Sequence, residues 1–144
     1  MLYELGQLGL GTTGVTAWTL LTFATPGRVR LLELGAFNNA GTASIYGFGR
    51  PAAVGITPTT PVDFLPQDPT DALAASSLQG VVAGWGTGPT VPTNFLRRWA
   101  TGAAVGSGII LTWPRGLVCS ISGNLVIWNT ATNSAPNVYA VCEI

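Results

Sequence analysis

At 144 residues the chain fits one domain of ordinary size and is too short for two independent cores. Its charged fraction is 8% and its formal net charge is +0, against about 25% charged residues in typical soluble domains, while 47% of the chain is apolar. Histidine and lysine are absent, which excludes Ser–His and Cys–His catalysis, His-ligated zinc, Schiff-base chemistry and the phosphate-binding P-loop.

The elements read in chain order are short and β-like. Apolar segments cover Leu2–Leu10 and Val15–Phe23, the second ended by the turn Thr25-Pro26-Gly27. Between them, Gly9, Gly11 and Gly14 match the G-x-G-x-x-G dinucleotide fingerprint. Val15, Thr16, Trp18 and Thr19 then favour a strand where that site needs a helix, so a turn is expected. Arg28–Phe37 is the longest predicted strand, with Val29, Leu31, Glu33 and Gly35 on one face and Arg30, Leu32, Leu34 and Ala36 on the other. Asn38-Asn39-Ala40-Gly41 reads as a hairpin turn into Thr42–Gly49.

A proline-rich connection follows at about residues 50–66, carrying Pro51, Pro58, Pro61 and Pro66. The one candidate helical turn lies near 69–77, where Asp68 suits a cap and Pro69 the first helical position. Further strands are expected at Leu78–Trp85, Asn94–Thr101, Gly108–Thr112, Leu117–Ile121, Leu125–Thr130 and Val138–Ile144. Gly123-Asn124 reads as a hairpin between two of them. Their continuous apolar character suits strands covered on both faces, with a neighbouring subunit as one source of the second cover.

Roughly eight to nine strands at 8–12-residue spacing, without alternating helices, predict an all-β antiparallel β-sandwich of the jelly-roll type, as a single domain over 1–144. No stretch approaches the ~20 apolar residues of a membrane-spanning helix, and the acidic N-terminus MLYELGQLGLGTTG does not read as a secretion signal. Cys119 and Cys142 fall in predicted strands and are expected to be buried free thiols.

The remaining chemistry is sparse. A paired-carboxylate glycosidase is formally open to Glu4, Glu33, Asp63, Asp68, Asp71 and Glu143, but nothing in the sequence marks two of them as partners. Asp63, Asp68 and Asp71 match no calcium-loop spacing, so no metal or other cofactor is expected. All six basic residues are arginines, the interface-enriched cation, although coding in a GC-rich genome gives the same bias. On a strand Arg97 and Arg98 point to opposite faces and cannot form one phosphate patch, and no nucleic-acid partner is expected. Arg28, Arg50, Arg97, Arg98 and Trp99 are the candidate interface residues. Four of the five tryptophans sit in predicted strands, whereas Trp113 has a loop-like context before Pro114-Arg115-Gly116 and is the candidate for sugar stacking.

The stretches RVRLLELGAFNNAGTASIYGFGRPAA, NFLRRWATGAAVGSGII and TWPRGLVCSISGNLVIWNTA make up about half the chain. In this charge-poor setting they resemble the jelly-roll cement or decoration proteins of tailed bacteriophage capsids. The resemblance implies a non-enzymatic viral structural protein. It implies a homotrimer seated on the major capsid protein at three-fold or quasi-three-fold positions of the virion surface, made in the host cytoplasm. No functional residue carries over from it. A neck or tail component and a lectin-like receptor-binding module are the alternatives.

Overall fold

Strands dominate the computed structural model, which describes residues 1–8, 17–23, 29–53, 62–72, 78–81, 89–119, 123–132, 134 and 136–144. They are β1 (Leu2–Leu8), β2 (Ala17–Phe23), β3 (Val29–Asn38), β4 (Ser44–Gly49), β5 (Val62–Asp63), β6 (Leu65–Pro66), β7 (Leu78–Val81), β8 (Arg97–Thr101), β9 (Gly108–Cys119), β10 (Gly123–Asn129) and β11 (Pro136–Glu143). All pairings are antiparallel, in two sheets of order β6-β1-β11-β3-β9 and β5-β7-β2-β10-β4-β8. The fold is an all-β antiparallel sandwich. Among the described residues no helix is long and apolar enough to cross a membrane.

Alternation along the strands builds the core. Leu31, Leu34, Ala140, Cys142 and Tyr3 from the five-stranded sheet meet Tyr46, Phe48, Leu125 and Ile127 from the six-stranded sheet. Fully burying a side chain of Leu or Phe size contributes about 1.5–3 kcal/mol. At one flank Phe64, fully buried, sits between β5 of one sheet and β6 of the other and closes the sandwich edge. The proline-rich connection thus ends in two short edge strands.

Strict alternation fails at β3, for a physical reason. Leu31 pairs with Cys142 and Glu33 with Val141, so Leu32 is an extra residue relative to β11; on the other side Leu31 pairs with Leu117 and Glu33 with Thr112, so there β9 carries the longer insertion. This bulge turns Val29, Leu31, Leu34 and Ala36 inward and Glu33 and Gly35 outward. The expected face shared by Leu31 and Glu33 would have placed an uncompensated carboxylate in the core.

Neither predicted hairpin turn joins two paired strands. Asn38–Gly41 leads from β3 in one sheet to β4 in the other, and Gly123-Asn124 lies inside β10, which pairs with β2 and β4 and not with β9. Glycine and asparagine supply turn conformations for either course and do not select which strand is paired next. The strands expected at Gly108–Thr112 and Leu117–Ile121 are the single strand β9. It is interrupted by the bulge Trp113–Gly116, which faces only Leu32, and Gly116 adopts φ 70 there. Trp113 is therefore not a loop residue. It is half-buried in β9, its ring 5.6 Å from that of core Phe48.

In place of the expected helical turn, Asp68 O accepts from Asp71 N (3.0 Å), and the Asp68 carboxylate accepts from Thr70 N (2.9 Å) and Thr70 Oγ1 (2.7 Å). These Thr70 bonds hold the Asp68 carboxyl below its ordinary pKa. Residues 73–77 lie outside the described residues, as does the Gly9–Gly14 match.

Cys119 and Cys142 are both free and buried, and burial pushes Cys119 up to about 11 and Cys142 higher still. They flank β3 opposite Val29 and Leu31. Two strand spacings separate them by about 10 Å, beyond disulfide reach.

The crossings from β3 to β4, β8 to β9 and β10 to β11 share one end of the sandwich, where buried Asn38 joins them. Its Nδ2 donates to Thr42 O (3.0 Å) and Gly102 O (2.8 Å), and its Oδ1 accepts from Tyr46 Oη (2.7 Å) and Thr101 Oγ1 (3.0 Å). Asn38→Ala is expected to lower unfolding free energy by about 3 kcal/mol or more in urea denaturation, because four partners lose a bond at a buried site. Exposed Asn39→Ala should stay within about 0.5 kcal/mol.

Candidate functional site

The two sheets treat their outer faces differently. On the six-stranded sheet Val126 and Trp128 alternate with inward Leu125 and Ile127, so they point away from the core, yet both are fully buried. The cover comes from the same chain. Phe95 meets Trp128 edge-on, with centroids 5.7 Å apart at 65°, and Trp128 Nε1 donates to Pro89 O (3.4 Å). Leu96 N donates to Phe48 O (2.8 Å), holding the segment down. Gly47 makes room for it, since a Cβ there would lie 2.5 Å from the Phe95 ring.

The outer face of the five-stranded sheet has no such cover among the described residues. Ile110 (54% exposed), Val118 (44%) and Leu65 (63%) stand on it, with half-buried Phe37 and Tyr139. The Tyr139 ring lies over Gly35, where a Cβ would come within 2.1 Å of it, and stacks on Phe37 at 6.4 Å and 14°. Tyr139 Oη donates to Glu33 Oε1 (2.6 Å). This bond to Glu33, with desolvation and the charges of Glu33 and Glu4 adding to it, pushes the phenol up to about 12.

Two adjoining hollows of about 510 and 570 Å³ cross this face. They share Glu4 and Gln67; Tyr139 lines the first, and Glu33, Thr112 and Trp113 line the second. Gln67 Nε2 donates to Glu4 Oε1. In register, Glu4 pairs with Val141 and Val141 with Glu33, so the two carboxylates sit on strands two spacings apart, about 10 Å. Nothing in the sequence marks this pairing, because it depends on β11 closing between β1 and β3. The groove offers two carboxylates, an amide and a phenol above an apolar floor, a donor–acceptor set suited to a guanidinium or a polyhydroxylated ligand.

The candidate interface residues lie on the flank formed by β8 and β9. Register sets Arg97 opposite inward Phe48 and Arg98 opposite outward Gly47, so the two arginines do take opposite faces. The Arg97 guanidinium lies 6.0 Å from the Trp113 ring centre and that of Arg98 5.4 Å from Phe95. Arg50 donates from Nη2 to Val118 O (3.1 Å), tying the two sheets together. Trp99 points inward against Tyr46, with centroids 5.5 Å apart at 30°, and its buried Nε1 has no acceptor among the described residues. Arg28 lies outside the described residues. Sequence reasoning missed Arg115, exposed on the β9 bulge without a hydrogen bond or ring contact among the described residues.

Comparison with protein-family models, with curated proteins and with solved structures finds no match.

The Glu33–Tyr139 bond has a pH signature. The folded phenol titrates near 12 against an ordinary 10.0, so the stability it contributes is fully present below pH 10 and is lost as pH rises from 10 to 12. Tyr139→Phe is expected to remove that component. Urea unfolding at pH 9 and pH 11 should then show a smaller fall than in the unaltered protein, and the alkaline tyrosinate absorbance should lose the step near pH 12.

Proposed function

We propose that this chain is a non-enzymatic structural subunit that self-associates within a larger particle, as a cement or decoration protein on a bacteriophage capsid. The observation that carries the reading is the unequal cover of the two sheets. One outer face is sealed at Trp128 by the chain's own Pro89–Leu96 segment, while the other leaves Ile110, Val118, Leu65, Phe37 and Tyr139 without intrachain cover among the described residues. Exposed apolar side chains gathered on one face, beside the carboxylates of Glu4 and Glu33, mark an interaction surface.

Composition supports the same reading. With 8% charged residues and net charge +0, little repulsion keeps copies apart. The long edge strand β9 is blunted by Pro114, Arg115 and its bulge, which disfavours open-ended strand addition. Association through side chains on a defined face is the remaining route.

The eight principal strands fall in the orders β1-β11-β3-β9 and β2-β10-β4-β8. We read this arrangement as the two Greek keys of a jelly roll, an architecture shared by viral capsid proteins and lectins. Together with the sequence resemblance, it favours a homotrimer bound to the major capsid protein on the virion surface. A neck or tail position would use the same face.

Sedimentation of the purified protein tests the reading directly. A stable oligomer at micromolar concentration is expected, and a monomer throughout that range would overturn it. Arg98→Ala should weaken association by about 1–2 kcal/mol, the cost of losing an interface arginine, read as a raised dissociation constant. Added to expanded capsid shells, the unaltered protein should raise their disassembly temperature.

A further inference from the structure

The charges of this protein are few but sorted. β5 and β6 form one flank of the sandwich, and Asp63, Asp68 and Asp71 lie in or just after them. Glu4 stands on the neighbouring β1, whose edge partner is β6. The opposite flank, β8 with β9, carries Arg97, Arg98 and Arg115, and the whole of residues 89–119 contains no acid. Arg50, bonded to Val118 O in β9, adds to this flank. Among the described residues one flank thus carries arginines and the other acids, with Arg30, Glu33 and Glu143 on the face between them.

Resting on the self-association proposed above, we infer that copies join edge to face: the arginine flank of one copy, led by Arg115, enters the Glu4–Glu33 groove of the next. A two-fold face-to-face pairing would set Glu4, Glu33 and Glu143 of each copy, against a single Arg30, over the same acidic face of its mate. Like charges so juxtaposed oppose that arrangement. A heterologous contact matches opposite signs, and a heterologous contact that closes makes a ring.

The groove is shaped for such an occupant. Its hollows of about 510 and 570 Å³ exceed one guanidinium and leave space for neighbouring apolar side chains. Gln67 and Tyr139 each occupy one carboxylate oxygen, of Glu4 and of Glu33, which fixes the carboxylates while leaving acceptor sites open. Among the described residues no arginine of the same chain is hydrogen-bonded to either carboxylate. Arg115 is likewise free of intrachain bonds there, whereas Arg97 and Arg98 lean on their own aromatic neighbours.

Charge reversal on the full chain tests the geometry, with sedimentation equilibrium as the readout. Arg115→Glu and Glu4→Arg, both at exposed positions, are each expected to raise the dissociation constant about tenfold or more, and the double variant to recover most of that loss. Raising ionic strength to about 1 M, where the screening length is ~3 Å, should weaken the unaltered assembly and the double variant alike. If the unaltered protein assembles but either reversal leaves the constant unchanged, or the double variant is no tighter than the weaker single one, the edge-to-face contact is wrong. The groove then belongs to another partner, and the proposed self-association still stands. A monomeric unaltered protein would overturn both.

Discussion

Every strand that changes sheet must carry backbone N–H and C=O groups through the edge of an apolar core, and this molecule does so three times at one end. The crossings from β3, β8 and β10 converge on Asn38, which satisfies all of its polar groups at once. Its own N–H donates to Ser107 O (2.7 Å), and its carbonyl accepts from Gly106 N (2.8 Å). Its side chain bridges Thr42, Gly102, Tyr46 and Thr101. Buried Asn129 repeats the device from the other sheet, donating to Ser44 Oγ (3.0 Å) and accepting from Ala131 N and Thr132 N (both 3.2 Å). Ser44 Oγ donates in turn to Thr42 O (3.2 Å), so the two asparagines belong to one neutral network. A partly satisfied network at this depth would cost more than an apolar replacement, so its completeness fixes the topology.

With that end closed, the outer faces are free to differ. Gly47 gives Phe95 a flat bed on one sheet, and Gly35 gives Tyr139 a bed on the other, but only the first bed carries a chain segment that seals the surface. The apolar ribbon Leu125–Trp128 therefore obtains its second cover from within the molecule, not from a neighbour. The requirement for companions moves to the five-stranded sheet, where Tyr139 is turned toward Glu33 and the apolar residues around it remain open.

Much of the sandwich was legible because its signal is local. β-Branched and aromatic runs punctuated by glycine and proline placed β3, β4 and β11 within two or three residues of their observed bounds. What escaped was non-local. Asn38–Gly41 carries the composition of a hairpin turn, and only the pairing of β3 with β11 and β9 tells that the chain leaves the sheet there. The Leu32 bulge escaped because alternation, read residue by residue, has no term for an unpaired position. The Glu4–Glu33 groove was hidden for a related reason. Residues 29 apart in the chain become neighbours only when a strand more than 100 residues further on fills the space between their two strands.

The scarcity of ions follows from the same economy of structure. Charged residues inside a sandwich this thin would need partners and would still lose hydration, whereas Asn, Ser, Thr and Tyr satisfy the crossings without that penalty. Interior polarity is thus met by neutral groups, and among the described residues no charged side chain is buried. So few charges cannot coat a surface, and their position matters more than their number. A chain that sets Arg97, Arg98 and Arg115 on β8 and β9, and Glu4, Asp63, Asp68 and Asp71 in or near β1 and β5, has given its two flanks opposite signs, with Arg30, Glu33 and Glu143 on the face between. That distinction serves no purpose in stabilising an isolated sandwich, since exposed pairs contribute little. It does give a direction to the contact between one copy and the next.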